Sequence, residues 1–190
     1  MGLIAWLKGR TGNTSGQAET DSWRQAWRTA CADPTPDRVD SLRTALSALS
    51  RSADDVEIEQ EMLDGLADLV ALRDTVARGG LPVIETGHRV VGTDCCHFSA
   101  TASMPDEPAQ PAGRLLLTGT RAIFVGGVRA ITVPWHSVAE IVNHERDLVL
   151  LHVGRDTAHR FRCNIYGEAL AAAFLARQLA PKHRRHDRSV

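Results

Sequence analysis

"GRLLLTGTRAIFVGGVRAITVP", residues 113–134, alternates apolar and polar side chains in three short runs parted by glycine-containing turns. That is the period-two pattern of neighbouring antiparallel strands. The runs are read as strands at 114–118, 121–125 and 130–133. Leu115 and Leu117, together with Ile123 and Val125, are expected to face one interior. Gly119 stands where a tight turn calls for positive φ, and Arg121 is placed to brace it. The stretch passes into "WHSVAEI" without a catalytic residue beside it, so it reads as scaffold that offers its surface to something else.

Outward from this stretch the same alternation predicts strands at 88–100, 140–143, 148–153 and 158–163, making an antiparallel meander. "YGEALAAAFLARQLAP" then closes the region as a helix, with Leu170, Ala173, Phe174 and Arg177 on one side and Pro181 marking its end. Upstream of about residue 83 the period is helical. Residues 11–20, "TGNTSGQAET", read as a polar linker, after which Asp21 caps a helix carrying Trp23 and Trp27 on one face. Thr35-Pro36 starts a second helix with a stripe of Val39, Leu42, Leu46 and Leu49. Ser52, with Asp55 three residues on, is the expected cap of a third helix, which Gly79, Gly80 and Pro82 stop. The fold class is therefore α+β. A flexible segment 1–20, a helical domain 21–80, a sheet domain 83–180 and a basic tail 181–190 follow one another, with the boundary near 79–86.

A chain of 190 residues with 43% hydrophobic and 24% charged residues is long enough to bury a core. A formal net charge of −1 supplies no global field that would draw it onto nucleic acid, so none is expected as a partner. Four cysteines, Cys31, Cys95, Cys96 and Cys163, lack the spacing of a disulfide framework or a paired metal motif, which points to a reducing cytoplasm. The run from Gly2 to Leu7 is too short for a signal-peptide core, and no segment approaches the roughly 20 apolar residues of a membrane span. Lys8 and Lys182 are the only lysines, and this arginine bias suggests a GC-rich bacterial gene.

The string G-x-L-x-L-T-x-x-R-x-I-F (Gly113, Leu115, Leu117, Thr118, Arg121, Ile123, Phe124), followed by Val133, Pro134, Val138 and Ile141 and by the "HRFRC" strand, resembles the GRAM and bacterial pleckstrin-homology-like (PH-like) domains over about residues 83–180. The resemblance implies a sheet or barrel of seven strands with a C-terminal helix, in a family that binds phosphoinositides, other lipids or proteins. Its lipid-binding members gather basic residues in the first long hairpin loop. Here that loop, "TASMPDEPAQPAG", has acids and prolines and no basic residue between Arg89 and Arg114, so no lipid-binding residue carries over.

"DCCHF" is the most chemical-looking stretch. In a strand Cys95 and His97 share one face and Cys96 and Phe98 the other, so the three potential ligands do not converge on one metal. Cys95 and His97 are kept as the weak metal candidates, and a thiol or metal enzyme centred on Cys95, Cys96 and His97 as one alternative function. His136 has no nucleophile beside it, and no GxSxG, phosphate loop, dinucleotide fingerprint or HExxH is present. The leading expectation is a non-enzymatic adaptor that needs no cofactor and contacts a protein. Trp135, Arg121 and Arg129 on the sheet half, and Glu57 and Glu61 in the acidic run "DDVEIEQEMLDG", are its candidate contacts. The other alternative is peripheral attachment to an anionic membrane at the inner face. Leu3, Ile4, Trp6 and Leu7 would make that contact together with Arg184 and Arg185 of the basic tail.

Overall fold

The computed structural model describes residues 14–50, 55–126, 129–154 and 157–180. The chain divides into two units, Met1–Val70 and Ala71–Val190. In the first, α1 spans Thr14–Ala32 and α2 Pro36–Leu49, and α3 begins at Glu57 of Glu57–Gly79. Residues 14–20 are thus helix and not linker, and Asp21 is not a cap. Its carboxylate accepts from Gln17 Nε2 one turn back at 3.0 Å, and Thr20 Oγ1 donates to the Gly16 carbonyl. The reason is local: Gln17, Ala18 and Glu19 favour helix, and no proline interrupts propagation before Pro34.

α2 opens as the sequence predicts, with Thr35 extended, its side chain accepting from the Arg38 N–H, and Pro36 in the first turn. Ser52 lies outside the described residues. At the first turn of α3 Asp55 Oδ1 accepts from the Glu57 N–H at 3.0 Å. Val39, Leu42, Leu46 and Leu49 of α2 and Met62, Leu63, Leu66 and Leu69 of α3 are buried, as are Trp23 and Trp27. Each indole N–H crosses to another helix: Trp23 Nε1 donates to the Leu42 carbonyl at 3.0 Å and Trp27 Nε1 to the Met62 carbonyl at 2.7 Å. Two large apolar rings are buried this way without stranding a donor.

The second unit holds the end of α3, seven strands and a closing helix. The strands are β1 Cys96–Ser103, β2 Ala112–Thr118, β3 Arg121–Gly126, β4 Arg129–Pro134, β5 Val138–His144, β6 Asp147–His152 and β7 Ala158–Cys163, and α4 is Tyr166–Leu179. They form one antiparallel sheet in the order β4-β3-β2-β1-β7-β6-β5. α4 packs against β5, β1, β2, β6 and β7. The main core joins Phe98, Leu115, Leu117, Phe124, Trp135, Leu148, Leu150 and Phe161 to Ala172, Ala173, Leu175 and Ala176 of α4, with Leu72 and Val76 of α3 against it. α3 ends as predicted: Gly80, at φ +82°, donates its N–H to the Val76 carbonyl.

Three expectations are corrected here. Residues 88–100 are not one strand: a single 3-10 turn, Arg89–Val91, and Gly92 at φ +65° precede β1. Ile123 and Val125 do not share the interior of Leu115 and Leu117. The β2–β3 register sets Leu117 opposite Ala122, Leu116 opposite Ile123 and Leu115 opposite Phe124, so Ala122 and Phe124 enter the main core. Ile123 instead packs with Leu116, Cys96 and Val91 in a second small core on the outer face, with Val125 against it. Gly119, finally, is not among the glycines of positive φ.

Candidate functional site

The segment that covers the outer face also decides what "DCCHF" is. Asp94 reaches the β2–β3 turn, where its Oδ2 accepts from the Thr120 N–H at 3.1 Å and from Thr120 Oγ1 at 2.7 Å. Burial raises the Asp94 pKa, but hydrogen bonds from Thr118, from Thr120 and from the Thr120 and Cys95 N–H groups outweigh it and hold the carboxyl below its ordinary value. The turn is closed further by the Gly119 N–H on the Cys95 carbonyl. A Cβ on Gly119 would stand 2.9 Å from Asp94 Oδ1, so a larger residue there would shift the carboxylate that holds the turn.

A register shift in β1 between Cys96 and Phe98 turns Cys96 to the outer core while Phe98 enters the main one. Strict alternation put them on one face, and the bulge is why they part. Cys96 Sγ lies 3.2 Å from the Phe98 carbonyl, and burial pushes its pKa up. Burial also raises the thiols of Cys163 and Cys31 to about 12. His97 Nδ1 is 2.7 Å from the Pro82 carbonyl. A carbonyl only accepts, so Nδ1 carries the proton and the ring ties the segment before β1 to the strand. Cys95 is exposed. Among the described residues no group of three or more His, Cys, Asp or Glu is placed to hold a metal. Asp94, Cys96 and His97 are thus engaged in holding the chain.

The other candidates fall in separate places. Trp135 is only 2% exposed and its Nε1 donates to the Thr118 carbonyl at 2.8 Å, so the ring is a core anchor. Arg121 bonds through its backbone to Thr118 Oγ1 in both directions, and its Nη2 lies 3.5 Å from the Val90 carbonyl. Glu57 is exposed on the first turn of α3 and Glu61 is half-buried one turn on. The side chain of Arg129, and Leu3, Ile4, Trp6, Leu7, Arg184 and Arg185, lie outside the described residues.

Sequence reasoning missed the polar network beside the β1–β2 loop. Asp147, 5% exposed, receives Arg162 through Nε at 2.8 Å and Nη2 at 3.0 Å, with Arg160 Nη1 at 3.7 Å. Arg160 also pairs with Asp106 of the loop at 2.7 Å. Period-two alternation alone places Arg160 and Arg162 on one face of β7, but only the β6–β7 register brings Asp147 opposite Arg162. At the β5 edge Arg177 of α4 donates to the Ile141 carbonyl at 3.2 Å, and burial lowers its pKa. In the helical unit a groove of about 410 Å³ between α1 and α2 is lined by Trp23, Ala26, Leu42, Ala45, Ala48 and Leu49.

No family model matches the chain, and no curated protein matches it. A solved structure that it resembles is the C-terminal domain of an unknown protein from Leishmania infantum. That match has 14% identity and a TM-score of 0.41, and covers 48% of this chain and 90% of that one. Among the described residues no helix is long and apolar enough to cross a membrane.

Proposed function

We propose that residues 83–180 are a PH/GRAM-like module and that the protein is a non-enzymatic adaptor that contacts another protein in the bacterial cytoplasm. The observation that carries this reading is the state of the β1–β2 loop. Its charged residues are the acids Asp106 and Glu107, and the nearby Arg160 is drawn to Asp106. An anionic headgroup meeting this loop would face carboxylates and a guanidinium already paired, which is the wrong electrostatics for phosphate. The strand order, with a C-terminal helix laid on the sheet, supports the PH-like part. The structural engagement of Asp94, Cys96 and His97 weighs against thiol or metal chemistry there. The proposed contact for a basic partner is the start of α3, at the exposed Glu57 and the half-buried Glu61.

Co-sedimentation of the full chain with neutral, anionic and phosphoinositide-containing liposomes tests the reading. Its expected outcome is that protein stays in the supernatant with all three at physiological salt. Salt-sensitive pelleting with the anionic vesicles would instead establish the membrane alternative. In parallel, a partner recovered by affinity purification should be lost from Glu57→Lys/Glu61→Lys, and its retention would remove α3 as the contact.

A further inference from the structure

His152 of β6 and His159 of β7 meet edge to face, with ring centroids 5.1 Å apart and planes at 77°. His159 stacks on Phe161 at 6.2 Å, and Phe161 lies 5.8 Å from Phe124 in the main core. A ladder of rings thus runs from the core to the turn end of the β6–β7 hairpin, and its last two rungs are ionisable. The backbone closure there is slight: beyond the Leu151–Ala158 pair, the His152 N–H reaches the Thr157 carbonyl at 3.2 Å.

We propose that the His152–His159 pair is an acid-released latch. With at most one ring protonated it holds this end of the sheet closed, and protonation of both separates the rings and loosens the hairpin end.

The geometry supplies the reason. Two imidazolium rings in this contact would repel, and His159 is half-buried on an apolar ring that solvates charge poorly. Burial is the largest cause holding the His159 pKa below its ordinary value, the charge of His152 is the second, and Glu107 of the β1–β2 loop pulls the other way. The other charged groups nearby are occupied: Asp106 pairs with Arg160, and Arg160 and Arg162 lie on the opposite face of β7 with Asp147. A histidine whose folded pKa is depressed stabilises the fold above the ordinary imidazole value of about 6.5. That contribution falls away as the pH drops through the lower folded value. The two protons belong to the pair, so they bind in two steps.

The test is a titration of the imidazole ring signals by NMR in the full chain from pH 7.5 to 5, with amide hydrogen exchange corrected for its intrinsic pH dependence. His159 should titrate below the ordinary imidazole value. Protection of the His152 amide should fall roughly five- to tenfold as the second proton binds, while the Trp135 amide, bonded to the Thr120 carbonyl at another turn, keeps its protection. In His152→Gln the His159 value should rise and the acid loosening disappear. In Glu107→Gln, which leaves both rings in place, the loosening should move to lower pH. Titration of His159 at the ordinary imidazole value, unchanged in His152→Gln, would overturn the latch. So would loosening that persists in His152→Gln, or loss of protection at Trp135 in step with His152.

Discussion

Glu59 in the helical unit and Asp94 beside the sheet are both carboxylates that fasten one piece of chain to another, and they do so by opposite means. Glu59 is 2% exposed, and its Oε1 meets the guanidinium of Arg24 through Nε at 2.7 Å and Nη2 at 2.6 Å, joining α3 to α1. Asp94 is only half-buried and accepts from neutral donors of a turn. A buried carboxylate is held by its counter-ion, so removing the arginine strands a charge in an apolar setting. A carboxylate on a turn is held by several modest bonds that water can replace. The fastening of the helices is therefore brittle, and that of the β2–β3 turn is graded.

Arg24→Ala should be the most damaging change in this comparison, costing about 3 kcal/mol in chemical denaturation, because the buried Glu59 carboxylate loses its counter-ion. A loss below about 1 kcal/mol would mean that water reaches the pair. Asp94→Ala should cost about 1–3 kcal/mol through the unsatisfied turn donors, and Asp94→Asn less, since the amide oxygen still accepts. Hydrogen exchange should place the loss at Gly119 and Thr120, leaving the helical amides protected. The smallest effect is that of pH. Because the Asp94 pKa is lowered, the turn's contribution persists above the ordinary carboxylate range near 3.9 and disappears only as pH falls through the depressed value. Thermal melts of wild type and Asp94→Asn should then differ by a constant amount between pH 8 and 5 and converge in acid.

The same two acids show what could be read in advance. β2 to β7, α2 and α4 lie close to where their periods place them, since alternation and capping act over a few residues. Glu59 sits in the acidic run "DDVEIEQE", where the default for every member is a solvated face. Its burial depends on Arg24, 35 positions away, and no local pattern carries that. Asp94 was visible only as part of a chemical-looking stretch. Its partner turn lies 26 residues on, and the bulge that separates Cys96 from Phe98 breaks the alternation from which faces are read. The face of Ile123 escapes alternation for a related reason: the two-residue turn at Gly119–Thr120 sets the register, and a one-residue change of register exchanges the faces.

Seven strands in a row have two outer strands, β4 and β5, and an outer strand is a template on which another chain can grow. β4 ends in Pro134, which has no N–H to offer, and on β5 the Arg177 guanidinium covers the Ile141 carbonyl. A side chain drawn from the closing helix thus guards against polymerisation. Its removal would show first as turbidity in concentrated samples, before any change in the fold of the single molecule.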